Sequence, residues 1–417
     1  MKVTLLTLGC KVNLAEITAL EAELLRKGHQ MSSLEDNPDF CIINTCTVTA
    51  KSDYESRQLI RRAARSGAKV IVTGCYSELN KNAVMDMEGV AGVLDNKDKE
   101  KIINILASES SKNALCFVPP RRMRTRAFIK VQDGCDHFCS YCLIRIARGR
   151  AKSLEADRAV ELVRKASDEG HAEAVLTGVH LGLYGIDSGL GKGGLVYLLK
   201  RILEETGMRR IRLSSLEPHE ISDDLIALIN EDRICSHLHV PLQSGDDYML
   251  NRMKRPYNVN TFIKKIELIH GKISNIGIGT DIIAGFPGEK EAHFNHTFNV
   301  LKDLPFSYAH IFPYSERSGT AAAGFDGKVP PGVKKDRTAA LRALADRKKA
   351  SFIESLNGKT IDVLIEQKTV VNGVQGFKGT AGNYIKVFAP AQEGILTGNI
   401  ADIRVCGGYL GLALGAP

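Results

Sequence analysis

Cys135, Cys139 and Cys142 form a C-x3-C-x2-C array just after the run FIKVQDG. Three soft thiolates at this spacing suit an iron–sulfur cluster, and a set of three leaves one iron open to a further group. Zinc is the competing reading, since a structural zinc site wants four ligands. His137 is the nearby candidate for the fourth, but it is wedged between Cys135 and Cys139, an awkward place from which to share their metal. Three other cysteines, Cys10, Cys46 and Cys75, lie far apart in the chain, yet each follows a short apolar run by two residues. They act as a set if those runs are neighbouring strands.

The segment 1–115 predicts that arrangement. Strand patterns at Val3–Leu8, Phe40–Asn44 and Ala68–Thr73 alternate with helical patterns at Leu14–Lys27 and Asp53–Ser66, an order that argues an open parallel α/β sheet. The three cysteines then stand past the carboxyl ends of adjacent strands, where such a sheet keeps its crevice. Residues 108–127, with Pro119-Pro120 and four arginines, read as a linker to a second domain at 122–356. There, about six β/α units in series predict a full or partial (β/α) barrel, with reactive groups at strand carboxyl ends. Lys334–Leu356 reads as a helix, and 357–417 as a small antiparallel β-barrel of the kind that often binds nucleic acid. The fold class is α/β.

Composition narrows the setting. Ten cysteines without a signal-peptide pattern indicate a reducing compartment, where clustered thiols point to metal or redox chemistry before disulfides. No apolar run reaches the ~18 residues of a membrane span, so the expectation is a cytoplasmic protein with no membrane partner. The net charge of +8 is concentrated in residues 111–356, with 37 Lys+Arg against 29 Asp+Glu. Candidate phosphate contacts are Arg121, Arg122, Arg124, Arg126, Arg145, Arg148, Arg150, Arg209, Arg210 and Arg212, each weighed against a solvated charged face. Cys41 reads as a buried small hydrophobe, and Cys116, Cys235 and Cys406 carry no assigned role.

With Tyr141 before its last cysteine, the array resembles that of the radical S-adenosylmethionine superfamily. TLGCKVN at 7–13, INTCTV at 43–48 and VTGCYSE at 72–78, followed by the array and a C-terminal β-module, make essentially the whole chain similar to the methylthiotransferases. The resemblance implies two 4Fe-4S clusters, a catalytic one on Cys135, Cys139 and Cys142 that binds S-adenosyl-L-methionine, and an auxiliary one on Cys10, Cys46 and Cys75. It also implies a C-terminal RNA-binding TRAM module. In this chemistry one cofactor methylates a sulfur attached to the auxiliary cluster, and a second yields the radical that activates an inert C–H bond.

TLGCKVN, RAFIKVQDGCDHFCSYC, LTGVHLGLYG and RLSSLEP look most like the MtaB branch. That branch adds a methylthio group to C2 of N6-threonylcarbamoyladenosine(37) in tRNA. The partners implied are a tRNA anticodon stem-loop, an external electron donor and a sulfur source. For the cofactor, the resemblance places Tyr141 near the adenine, Thr177 and Gly178 at the methionine amine, Ser215 and Glu217 at the ribose, and Asp281 as a further polar strand-end group. The segment LIRIARGR after Cys142 lacks the family's usual proline, and Asp246 in PLQSGDD stands where a small residue is usual. The alternatives are N6-isopentenyladenosine tRNA or a ribosomal protein aspartate as substrate, or a non-catalytic RNA-binding protein holding zinc.

Overall fold

The structure, a computed structural model, describes residues 1–109, 125–409 and 411–416. Its first sheet contains β1 (Lys2–Thr7), β2 (Gln30–Met31), β3 (Phe40–Thr45), β4 (Lys69–Gly74) and β5 (Val90–Val93), in the order β2-β1-β3-β4-β5 with every pair parallel. The central strand β3 is buried along its whole length, with Phe40–Ile43 apolar and Asn44 and Thr45 hydrogen-bonded at its end. Phe40 and Ile42 pack with Ile17 and Leu24 of α1 (Lys11–Arg26), whereas Cys41 and Ile43 pack with Ile60 and Ala63 of α2 (Ala50–Ala64). Cys41 is thus a core residue. Thr49 caps α2 by accepting from the Ser52 amide at 3.1 Å.

The expected boundary between the first two parts falls at residues 110–124, outside the described residues, as do Cys116, Arg121, Arg122 and Arg124. Arg126, read as part of the linker, instead opens β6 (Arg126–Lys130). Then come the short antiparallel pair β7 (Gln132–Asp133) and β8 (Lys152–Ser153), followed by β9 (Glu173–Thr177), β10 (Arg210–Leu213), β11 (His237–His239), β12 (Gly277–Ala284) and β13 (Tyr308–Pro313). The ladders β6-β9-β10 and β11-β12-β13 are parallel, and the bridge between Ile211 and Ile234 joins them. Among the described residues no ladder connects β6 to β13, so the barrel is partial. Helix α1 of the first sheet packs against the face of β6 that presents Arg126, Phe128 and Lys130.

The helix Pro331–Ser355 leads into β14 (Thr360–Val371), β15 (Val374–Ala381), β16 (Lys386–Pro390), β17 (Ile400–Tyr409) and β18 (Leu412–Ala416). These close into a barrel in the order β14-β15-β16-β18-β17. The antiparallel expectation needs one correction, because β16 and β18 run parallel. A closed ring of five strands cannot alternate direction all the way round, so one neighbouring pair must be parallel. No helix among the described residues is long and apolar enough to cross a membrane.

Buried ion pairs dock this barrel on the core. Arg210 and Arg212 alternate along β10 and so point to one face. Both reach Glu173, with Arg210 Nε donating to Oε2 at 2.7 Å and Arg212 Nε to Oε1 at 2.8 Å. Their other donors bond Asp362 and the carbonyls of Thr380, Ala381 and Gly382 in the C-terminal barrel. This overturns the phosphate reading for both arginines, whose donors are consumed internally; Arg209 alone of that run is exposed. Burial opposes the charge on Glu173, but Arg212 and Arg210 outweigh it and hold the carboxyl down to about 2.

Glu173→Gln is expected to cost about 3–5 kcal/mol, since it leaves buried guanidinium charge uncompensated. The loss will show as a lower denaturant midpoint and faster proteolytic release of residues 357–417. Because the folded value lies below the ordinary 4.5, this stabilisation is present above pH 4.5 and is lost as pH falls toward 2. Over that window the variant's midpoint will be flatter than the wild type's.

Candidate functional site

The first sheet gathers its three distant cysteines at one end. Cys10 is the N-cap of α1, Cys46 follows β3 directly, and Cys75 opens the short helix α3 (Cys75–Leu79) after β4. Glycines make the close approach possible. A Cβ on Gly9, whose φ is +100°, would lie 2.6 Å from Cys46 Sγ, and one on Gly74, at φ +103°, would strike the Thr45 backbone. Asn13 pins the turn by donating to Leu8 O at 2.8 Å and Thr45 O at 3.0 Å. The three thiols are near enough that Cys46 feels both others and Cys75 feels Cys10; burial, the larger effect, pushes Cys46 and Cys75 up.

The second trio sits on the loop after β7. The Cys135 amide is held by Gly149 O at 3.1 Å, and the amides of His137 and Ile144 point at Cys135 Sγ and Cys142 Sγ, each at 3.4 Å. Arg255 Nη1 donates to Cys139 Sγ at 3.2 Å, and His180 Nδ1 lies 3.4 Å from Cys135 Sγ. Burial pushes the Cys142 thiol up to about 12, so a bare thiol here resists ionisation, whereas a metal would deprotonate it outright. His137 packs edge-on against His180 and stacks over His219, committed to rings rather than turned to the thiols. Three thiols ringed by amides, a guanidinium and an imidazole fit an anionic iron–sulfur cluster better than a four-ligand zinc.

One arginine ties the first trio to the segment that carries the second. Arg148 ends the short helix Ile144–Arg148, the turn that LIRIARGR forms without its proline, and its side chain is 1% exposed. Its Nε donates to Cys75 Sγ at 3.2 Å, Nη2 to Asn13 Oδ1 at 2.6 Å, and Nη1 to Glu16 at 2.8 Å and Asp133 at 2.9 Å. Glu16 also receives Lys130 at 2.8 Å and Lys99. Burial alone would raise the Glu16 carboxyl; Lys99 and Arg148 hold it well below the usual range. The phosphate reading of Arg148 is therefore corrected. Arg145, stacked 3.9 Å over the exposed ring of Phe138, and Arg150 remain at the surface.

The other sequence candidates divide. Thr177 ends β9 with a buried hydroxyl that has no hydrogen-bond partner, and Gly178 packs so close to Gln132 that a Cβ would lie 2.8 Å from its Oε1. Tyr141 sits against Phe286. Ser215 is exposed, and its neighbour Ser214 meets the Gly178 amide at 3.4 Å. Glu217 is buried in an ion pair with Arg255, which ties it to Cys139. Asp281 pairs with His239 Nε2 at 3.1 Å, near His310. Asp246 is a buried helix cap, accepting from the Met249 amide at 3.0 Å, not a loop group facing a substrate. Sequence reasoning missed Glu16, His180, Glu220 and Arg255; no local motif marks them. A cavity of about 250 Å³ adjoins the first trio, lined by Cys10, Lys11, Arg126, Phe128 and Tyr384 among others.

A curved parallel sheet with three thiols beyond its first strand defines the class of radical S-adenosylmethionine enzymes, and residues 129–301 match the Radical SAM superfamily. Residues 2–95 match the Uncharacterized protein family UPF0004. The chain is 33% identical, over 96% of its length and 92% of the relative's, to "Threonylcarbamoyladenosine tRNA methylthiotransferase MtaB" of Bacillus subtilis, and 36% identical to the protein of that name from Aquifex aeolicus, over 88% of this chain and 93% of that one. It belongs to the MtaB family of methylthiotransferases. Among solved structures, the radical S-adenosylmethionine methyltransferase TsrM of Kitasatospora setae shares the fold, with a TM-score of 0.58 at 14% identity over 82% of this chain and 89% of that one.

Arg148→Met keeps much of the volume but takes one of three cations from Glu16 and one of two from Asp133, and leaves Asn13 Oδ1 and Cys75 Sγ without their donor. A loss of about 1–3 kcal/mol is expected. Hydrogen exchange should rise in α1 and residues 144–149, with outer core helices such as Ala156–Asp168 unchanged.

Proposed function

We propose that this chain is a tRNA-modifying radical S-adenosylmethionine methylthiotransferase that converts N6-threonylcarbamoyladenosine(37) to its 2-methylthio derivative. The observation that carries the reading is the pairing of family membership along nearly the whole chain with two cysteine trios, the first tied through Arg148 to Asp133, two residues before the second. Cys135, Cys139 and Cys142 would hold the catalytic 4Fe-4S cluster, and Cys10, Cys46 and Cys75 the auxiliary one. When bound, the clusters and S-adenosyl-L-methionine supply the sulfur, the methyl group and the radical that opens the C2–H bond, for which no side chain offers a route.

The chain's own residues position and shield. Arg255 and Arg148 place positive charge against Cys139 and Cys75, offsetting the charge of a sulfur-rich cluster while fixing thiol orientation. Thr177, with its unpartnered hydroxyl, and Gly178, where backbone can approach closely, form the cofactor's polar edge; Tyr141 packs against it, and Ser215 faces its ribose. Glu217 acts at one remove, by orienting Arg255. Asp281, held by His239, supplies a further polar group at the end of the cofactor site, close enough for its charge to be felt at Lys11. The partial barrel leaves an entry through which a base unstacked from an anticodon loop reaches both trios, an unstacking less costly in a loop than in a duplex.

Three functional parts follow, at 1–115, 122–356 and 357–417, with the last holding tRNA. Each turnover needs an electron to start cofactor cleavage and a sulfur atom, neither of which amino-acid side chains provide, so a reductant and a sulfur source must come from outside. We place the enzyme in the cytoplasm, with its tRNA.

Anaerobic reconstitution should load about eight irons per chain. Replacing Cys135, Cys139 and Cys142 together by Ala should leave about four and abolish 5'-deoxyadenosine formation. With an anticodon stem-loop bearing threonylcarbamoyladenosine, the product gains the mass of a methylthio group less one hydrogen. Zinc at unit stoichiometry with no cofactor cleavage defeats the proposal, as does product formation from isopentenyladenosine RNA alone.

A further inference from the structure

The substrate proposed above differs from unmodified adenosine by a group that ends in a carboxylate, because threonine is joined through its nitrogen. None of the residues so far assigned meets that charge. Lys11 follows Cys10 as the first residue of α1, and its side chain enters the 250 Å³ cavity beside the auxiliary trio. Among the described residues no carboxylate lies within 4.0 Å of its ammonium, and the ring of Tyr384 is 5.3 Å away. Lys11 is a half-buried cation with no carboxylate in ion-pair reach among the described residues.

The other charges of the chamber are committed. Arg126 pairs with Glu366 at 2.6 Å, and Arg210 and Arg212 share Glu173. Glu173 and Asp281 are the carboxylates close enough to be felt at Lys11, but Glu173 is neutralised by its arginines and Asp281 is bonded to His239. Desolvating a cation among other cations is unfavourable, and an incoming anion relieves it. The floor is built to stay put. Tyr384 has a backbone φ of +73°, uncommon for a tyrosine, and its ring stacks on His237 at 4.5 Å while Arg212 lies 5.3 Å above it. A rigid aromatic face beside a lone ammonium suits a short substituent with an apolar flank and an anionic end.

We propose that Lys11 reads the carboxylate of the threonylcarbamoyl group against the Tyr384 ring, and is thereby the residue that determines specificity for a carboxylated N6 substituent. This rests on the substrate reading given above.

The test measures binding of the reconstituted enzyme to three anticodon stem-loops, carrying threonylcarbamoyladenosine, its methyl ester, or plain adenosine. The wild type should prefer the first by roughly ten- to a hundredfold, the range of a hydrogen bond to a charged group. Lys11→Met should lose that preference while binding the ester and plain RNAs within about twofold of wild type, which also certifies its fold; Lys11→Arg should retain part of it. If Lys11→Met keeps the wild-type preference, or weakens all three RNAs equally, the assignment is overturned. Should the wild type convert the threonylcarbamoyl RNA yet show no preference over the ester, the assignment alone fails. Should it neither prefer nor convert that RNA, the substrate reading fails and takes the assignment with it.

Discussion

Arg148 is the constraint on which the architecture turns. A guanidinium offers five donors in a fixed plane, and here they are spread over Cys75, Asn13, Glu16 and Asp133, the first three on helices of the N-terminal part and the last on β7 of the core. Lysine, with one point of charge, has no equivalent reach. Burying such an ion is tolerable only when every donor is met, so the first sheet and the core loop must approach in one register or forfeit several kcal/mol. The register that satisfies Arg148 is also the one that sets Cys75 near Asp133, two residues before Cys135.

The same device holds the third part. Glu173, itself without access to water, is met by Arg210 and Arg212, and what remains of their donors is met by carbonyls of the C-terminal barrel. Buried charge thus sits at both seams between parts, while the packing around Val163, Leu199 and Ile278 in the core part is aliphatic. Ionic seams confer geometry at little net gain in stability, which suits an enzyme whose parts must be aligned rather than fused.

Periodicity disclosed much of this molecule. Three strands of the first sheet, β1, β3 and β4, with helices α1 and α2, the β/α succession of the core and the β-rich tail announce themselves by apolar spacing, whereas the short edge strands β2 and β5 do not. What periodicity does not carry is partnership across long separations. Nothing near Arg210 in the chain tells that its carboxylate is at 173, so a basic run that alternates into the interior reads as a phosphate surface. Nothing near Glu217 tells that Arg255 claims it. Barrel closure was equally hidden, because it depends on which edges pair and not on what each strand contains. The parallel step in the C-terminal ring, by contrast, follows from counting to five.

The edge of β6 that stays without a partner strand has a bearing on synthesis. A bare sheet edge on a nascent chain invites pairing with other chains. Here α1, which packs against β6, leaves the ribosome about a hundred residues before it, so the strand emerges with a packing partner already made.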